Sequence, residues 1–175
     1  GSNINRAPYI ELIQAAAGKD ANMEKYKVGV IGATGMVGQR FVTLCDNHPW
    51  FETVALAASS RSAGKTYGEA VKGRWKMKTP LSDAVANMQV LNAEDIESIK
   101  PYVDFVFCAV NMPKAEIKAL EEAYAKAEIP VVSNNSAHRG TPDVPMLIPE
   151  INFAHTAVIE SQKKRLGVFE TYHCS

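Results

Sequence analysis

The chain runs to 175 residues, 46% hydrophobic and 22% charged, which suffices for one sizeable core. Its 19 basic and 19 acidic side chains cancel and are interspersed, so nothing in the charge points to nucleic acid or an anionic membrane surface as a partner. No apolar run approaches the roughly 20 residues of a membrane span and the N-terminus lacks the order of a signal peptide, so a cytoplasmic protein without membrane contact is expected.

Residues 1–22 read as an appended segment outside the domain proper: Gly1, Ser2 and Asn3 have the character of a cloning remnant, and Met23 stands just ahead of the first strand. Within it, Pro8 to Gly18 has the ends of a short helix, a proline in the first turn and a glycine at the close. From residue 23 onward strands and helices alternate without internal repeats, the pattern of a parallel sheet. Residues 23–166 read as one nucleotide-binding domain and 167–175 as the start of a second.

The apolar strand from Lys27 to Ile31 runs straight into Gly32, Gly35 and Gly38 and then into a helix. That is the layout of a dinucleotide-binding turn: Gly32 turns the chain off the strand, Gly35 admits a pyrophosphate to the backbone amides, and Gly38 lets the helix pack closely. A tight turn without a ligand would select glycine too. The helix places Val37, Phe41, Leu44 and Cys45 on one face, which makes Cys45 a core residue, and Asn47, His48 and Pro49 end it. A buried strand from Thr53 to Ala58 follows and closes in Ser59, Ser60, Arg61, Ser62 and Lys65. This is roughly 20 residues past the last glycine, where NAD-binding domains carry an acid for the ribose hydroxyl. Hydroxyls, a guanidinium and an ammonium stand there instead and suit the 2′-phosphate of NADP; the competing reading is a solvated polar loop.

Between Tyr67 and Asp83 an irregular basic segment with Arg74, Trp75, Lys76 and Lys78 reads as surface structure. Residues 88–91 form a short strand, and 104–110 a longer one, apolar on both faces and therefore central. Pro113 opens a helix whose buried stripe holds Ile117, Leu120, Tyr124 and Ala127, and 129–133 supply the next strand. The resulting fold class is α/β, a Rossmann-like, mostly parallel sheet with helices on both faces.

Open α/β sheets bind ligands at the carboxyl ends of their strands, so the loops at 111–113 and 134–145 matter. Cys108, just before the first, reads as a core thiol. In the second, Arg139 is placed to grip a phosphate or carboxylate bidentately, against the alternative of a surface arginine among turn residues, and His138 reads as solvent-facing. Cys45, Cys108 and Cys174 form no Cys-x-x-Cys pair and match no zinc spacing, so reduced thiols and no metal are expected.

The ordered segments Gly-Ala-Thr-Gly-Met-Val-Gly at 32–38, Ala-Ser-Ser-Arg-Ser-Ala-Gly-Lys at 58–65, Ser-Asn-Asn-Ser-Ala-His-Arg at 133–139, Asp-Val-Pro-Met-Leu-Ile-Pro-Glu at 143–150 and Ile-Glu-Ser-Gln-Lys-Lys-Arg at 159–165 together resemble aspartate-semialdehyde dehydrogenase, in its archaeal and fungal-type branch. The likeness covers about Met23 to Arg165. It implies NADPH-dependent reductive dephosphorylation of aspartyl phosphate to aspartate semialdehyde, in amino-acid biosynthesis, by a homodimer or homotetramer. It also implies site roles: Gly32, Thr34, Gly35, Met36, Val37 and Gly38 around the pyrophosphate, Ser59, Ser60, Arg61 and Ser62 around the 2′-phosphate, and Arg139 on the substrate's phosphoryl group. Cys174 is then the catalytic nucleophile, whose thiolate attacks the acyl phosphate, expels phosphate and leaves a thioester that accepts hydride. Family members carry Pro-Asn or Ser-Asn before that cysteine, where this chain has Tyr172 and His173. The family's histidine base and dimer-forming domain lie beyond the matched region, so the chain reads as the amino-terminal NADP-binding half, inactive alone. Two other readings stay open: a related acyl-phosphate reductase such as N-acetyl-gamma-glutamyl-phosphate reductase, and a non-catalytic dinucleotide-binding or interaction module.

Overall fold

The computed structural model describes residues 24–168 and 173–174; the segment 1–22, with its expected helix, lies outside them. Six strands form one sheet: β1 (Tyr26–Ile31), β2 (Phe51–Ala58), β3 (Val90–Asn92), β4 (Phe105–Cys108), β5 (Val131–Ser133) and β6 (His173–Cys174). Their spatial order is β3-β2-β1-β4-β5-β6, and every pair is parallel. The chain winds outward from β1 in one direction, then restarts at β4 in the other. The gap between the carboxyl ends of β1 and β4 is therefore uncovered by any crossover.

The helices are α1 (Met36–Cys45), α2 (Tyr67–Ala70), α3 (Asp83–Ala86), α4 (Ile96–Ile99), α5 (Lys114–Lys126), α6 (Pro149–Asn152) and α7 (Ile159–Leu166), with a 3-10 stretch at Phe153–Val158. No described helix is long and apolar enough to cross a membrane. Alternation along the strands sends neighbours to opposite layers. Ile31, Ala55, Ala57 and Cys108 pack under α4 and α5, against Ile99, Ile117 and Tyr124. Val30, Leu56 and Ala58 pack under α1 to α3, against Val42, Tyr67 and Val85. β1 and β4 are the inner strands, as the two-sided apolar run at 104–110 implied, and Cys45 and Cys108 are core thiols.

The structure corrects three readings. On α1 the buried face is Gly38, Gln39, Val42 and Cys45, while Val37 and Leu44 are exposed. The apolar side chains misled because the helix packs through a glycine and a glutamine, which carry no hydropathy signal. On α5 the stripe of Ile117, Leu120 and Tyr124 holds, but Glu121 and Ala125 are buried in place of Ala127. His138 is not solvent-facing: it is 1% exposed, bonded through Nε2 to the Lys118 carbonyl at 2.9 Å and through Nδ1 to the Thr141 hydroxyl at 3.0 Å.

These last two residues belong to one buried polar network at the carboxyl end of β5. Glu121 accepts from the Ser133 hydroxyl, from Asn135 Nδ2 at 3.2 Å and from His173 Nε2 at 2.8 Å. The His173 ring stands edge-on to His138 with centroids 4.3 Å apart. The hydrogen-bonding groups of the 133–138 loop are thus spent largely inside the protein. On the outer side, Gln162 Nε2 donates to the carbonyls of Asp143 and His173, and Arg165 clamps Asp143 and Glu122. Together they sew α7 and β6 to the rest.

Burial alone would raise the Glu121 carboxyl, but the bonds from His173, Ser133 and Asn135 outweigh it and hold the group below its ordinary 4.5. Burial pushes the His138 imidazole below its ordinary 6.5. For both groups the unfolded chain takes up its proton first, so stability is full above about pH 6.5 and falls as pH drops, first through His138 and then below about 4.5 through Glu121. Denaturant midpoints measured from pH 8 to pH 4 should decline monotonically. Glu121→Gln should lower stability at neutral pH and flatten the acid limb.

Candidate functional site

The turn between β1 and α1 begins with Gly32 at φ +84°, a left-handed conformation that glycine adopts without strain. A Cβ on Gly38 would stand 2.0 Å from the Gly32 carbonyl oxygen, so the helix lies on the turn at a distance no side chain permits. A Cβ on Gly35 would meet only that oxygen, at 3.8 Å. The first two glycines named are required by the fold; Gly35 is not, and the space its missing side chain leaves opens outward.

The carbonyls of the turn are all drawn inward. Gly32 O accepts from Gly35 N at 3.4 Å, Ala33 O from the buried Tyr67 hydroxyl at 2.7 Å, and Thr34 O from Gln39 Nε2 at 2.9 Å. Gln39, 1% exposed, also donates to Arg74 O at 3.0 Å and accepts from Lys76 N at 2.8 Å. The basic segment is surface structure, with Arg74, Lys76 and Lys78 exposed, and its backbone also buttresses the glycine turn. A signal for it existed: Gln39 is the polar residue in helical phase with Val42 and Cys45. With the carbonyls tied back, the N–H groups of Met36, Val37 and Gly38 open α1 without backbone acceptors among the described residues, as a first helical turn must. This end of α1 is an anion-binding surface.

It faces a cleft of about 650 Å³ at the β1/β4 switch point. Gly32, Thr34 and Gly35 line one wall; Ser59, Ser60, Arg61, Ser62 and Lys65, at the end of β2, line the other; Ala109 to Met112, after β4, form the floor. Asn92, Glu94 and Arg74, which sequence reasoning did not place at the site, line it as well. Met36 and Val37 have exposed side chains and, like Gly38, are not among the residues that line it. The residues fit a dinucleotide: Gly35 leaves the room a pyrophosphate needs, and the end of β2 offers cations and hydroxyls.

The two remaining site residues are elsewhere. Arg139 is exposed and does not line the cleft; its N–H closes a turn on Ser136 O. Cys174 lies in β6, packed with Ile159 against Val132, and burial pushes its thiol up to about 12. A nucleophilic cysteine needs an open approach and a thiolate near neutral pH, and in this structure Cys174 has neither. Among the described residues, the ligand atoms of Glu121, His138 and His173 lie within 4.8 Å of one another, close enough to hold an ion, but each group already bonds to the protein through the network above.

A parallel sheet in this order, with a glycine turn and a helix N-terminus at its switch point, defines a doubly wound nucleotide-binding domain of the Rossmann class. A family profile, Semialdehyde dehydrogenase, NAD binding domain, matches residues 27–159, and the chain belongs to that family. Aspartate-semialdehyde dehydrogenase of Methanothermobacter thermautotrophicus is 45% identical over 140 residues, covering 80% of this chain and 38% of that protein. The enzyme of that name from Aspergillus fumigatus is 40% identical over 148 residues, covering 85% and 39%. A crystal structure of aspartate semialdehyde dehydrogenase with NADP from Candida albicans superposes with a TM-score of 0.74 at 35% identity, covering 86% of this chain and 42% of that one. The chain thus spans about two fifths of the length of these relatives.

Two measurements check the site's anatomy. Gly38→Ala should cost about 3 kcal/mol or prevent folding, because backbone must move, whereas Gly35→Ala should change stability by at most about 1 kcal/mol in thermal unfolding. Cys174, with Cys45 raised to about 11, should react with iodoacetamide at pH 7 at least about a hundredfold more slowly in the native chain than in urea. Rapid native alkylation of Cys174 would show that its thiol leaves the core.

Proposed function

We propose that this chain is the NADP-binding domain of an aspartate-semialdehyde dehydrogenase, serving the NADPH-dependent reductive dephosphorylation of aspartyl phosphate to aspartate semialdehyde. The observation that carries the reading is the cleft itself, with the glycine turn on one wall and Arg61 and Lys65, in place of a carboxylate, on the other. The names of the relatives, matched over four fifths of the chain, support the same reaction.

In this reading the N–H groups at the start of α1 hold the pyrophosphate, with Gly32, Thr34, Gly35 and Gly38 giving the turn its shape. Ser59, Ser60 and Ser62 would offer hydroxyl hydrogen bonds, and the Arg61 guanidinium would offer charge, to the 2′-phosphate. The cofactor, when bound, supplies the hydride. Arg139 serves the substrate's phosphoryl group, and Cys174 becomes the acyl acceptor once its sulfur leaves the packing between Val132 and Ile159. Location in the cytoplasm and assembly as a homodimer or homotetramer belong to the same reading. Apart from Cys174, the contribution of the described residues is binding and orientation.

Calorimetric titration tests it. NADPH should bind more tightly than NADH, and Arg61→Ala should remove about a tenfold or larger part of that preference. Gly35→Ala, silent in stability, should abolish binding of both by filling the space beside the pyrophosphate. Equal affinity for the two cofactors, unchanged in Arg61→Ala, would overturn the NADP assignment.

A further inference from the structure

We infer that Arg74 is a third phosphate-binding cation of the cleft, beside Arg61 and Lys65. The inference rests on the cleft being the NADP site and adds to it a residue from a different part of the chain. Arg74 follows α2 rather than β2, and it lines the cleft together with Ala70, whose carbonyl its guanidinium meets. Both of its ends are fixed. The backbone is fastened by its own N–H to Val71 O at 2.8 Å, and by its carbonyl to Gln39 Nε2, the amide that also grips Thr34 of the glycine turn. The head is fastened by Nη2 donating to Ala70 O at 2.9 Å. One carbonyl uses one of the five N–H groups of a guanidinium, and the others are left to a ligand.

Charge points the same way. Among the described residues no carboxylate stands within ion-pair distance of Arg74, and the cleft is lined by three cations, Arg61, Lys65 and Arg74, against one carboxylate, Glu94. An unpaired, pre-positioned guanidinium in a cleft of net positive charge is complementary to a phosphate and loses little side-chain freedom when one binds. Both arginines are exposed, but among the described residues the Arg61 side chain has no hydrogen-bond partner, so binding must order it, whereas Arg74 is already tethered to Ala70. Because Arg74 is tethered to the same glutamine as Thr34, its position and that of the pyrophosphate turn are linked.

The test titrates the chain with NADPH and with NADH, comparing the parent, Arg61→Ala, Arg74→Ala and Arg74→Lys, with thermal unfolding as the control for folding. Arg74→Ala should unfold within a few degrees of the parent and bind NADPH at least tenfold more weakly, with Arg74→Lys between the two. Loss confined to NADPH places the contact on the 2′-phosphate; equal loss with NADH places it on the pyrophosphate; either supports the inference. Parent-like NADPH affinity in a folded Arg74→Ala variant, with affinity lost in Arg61→Ala, overturns it while leaving the NADP reading intact. If the parent binds neither cofactor, the cleft reading falls and the inference falls with it.

Discussion

The Gly32 carbonyl oxygen occupies the place where a side chain at position 38 would begin. Everything at the functional end of this domain follows from that contact. It brings α1 down onto the end of β1, which aims the unpaired N–H groups of the helix at the gap between β1 and β4. The same closeness forces the intervening carbonyls to find partners within the protein, because buried acceptors left empty cost about 1–3 kcal/mol each.

Tyr67 and Gln39 meet that demand, and in doing so they recruit a stretch that has no regular secondary structure of its own beyond α2. Tyr67 is fully buried, and the capping box between Thr66 and Glu69 fixes the turn that delivers it. The consequence is a cleft whose walls are mechanically joined. The glycine turn and the 67–76 segment share hydrogen bonds through Gln39 and Tyr67, and the Arg74 side chain is tethered to Ala70, so this one charge is held beside the turn at the cost of conformational freedom already lost on folding.

At the other side of the switch point the problem is different. Glu121 is carried into the core on the buried stripe of α5, and an isolated carboxylate there would be strongly unfavourable. Ser133, Asn135 and His173 supply the donors. Asn135 Nδ2 also lies 3.7 Å from the Cys108 sulfur, so the end of β4 is tied to the network too. This arrangement draws β6 against β5 and packs Cys174 between Val132 and Ile159. A thiol there is protected, and its chemistry depends on a change of packing rather than on its neighbours in sequence.

Local signals in the amino-acid sequence determined much of this: the alternating apolar runs specify the strands, the glycines at 32, 35 and 38 specify the turn, and Pro113 marks the start of α5. The substitution of hydroxyls and cations for an acid after β2 was legible for the same reason, since position after a strand end fixes where a side chain goes in a doubly wound sheet. Side chains whose meaning lies in distant partners were not legible. Gln39, Tyr67, Glu121 and His138 each bond to residues far along the chain or across layers, and polar residues of this kind look the same in sequence whether they face water or fill a core. The face of α1 was misassigned for a related reason: a helix packed at glycine distance presents a small residue to its neighbour, and hydropathy measures transfer from water rather than room for approach. Tertiary structure alone decided which polar groups are buried, because only packing brings their donors and acceptors together.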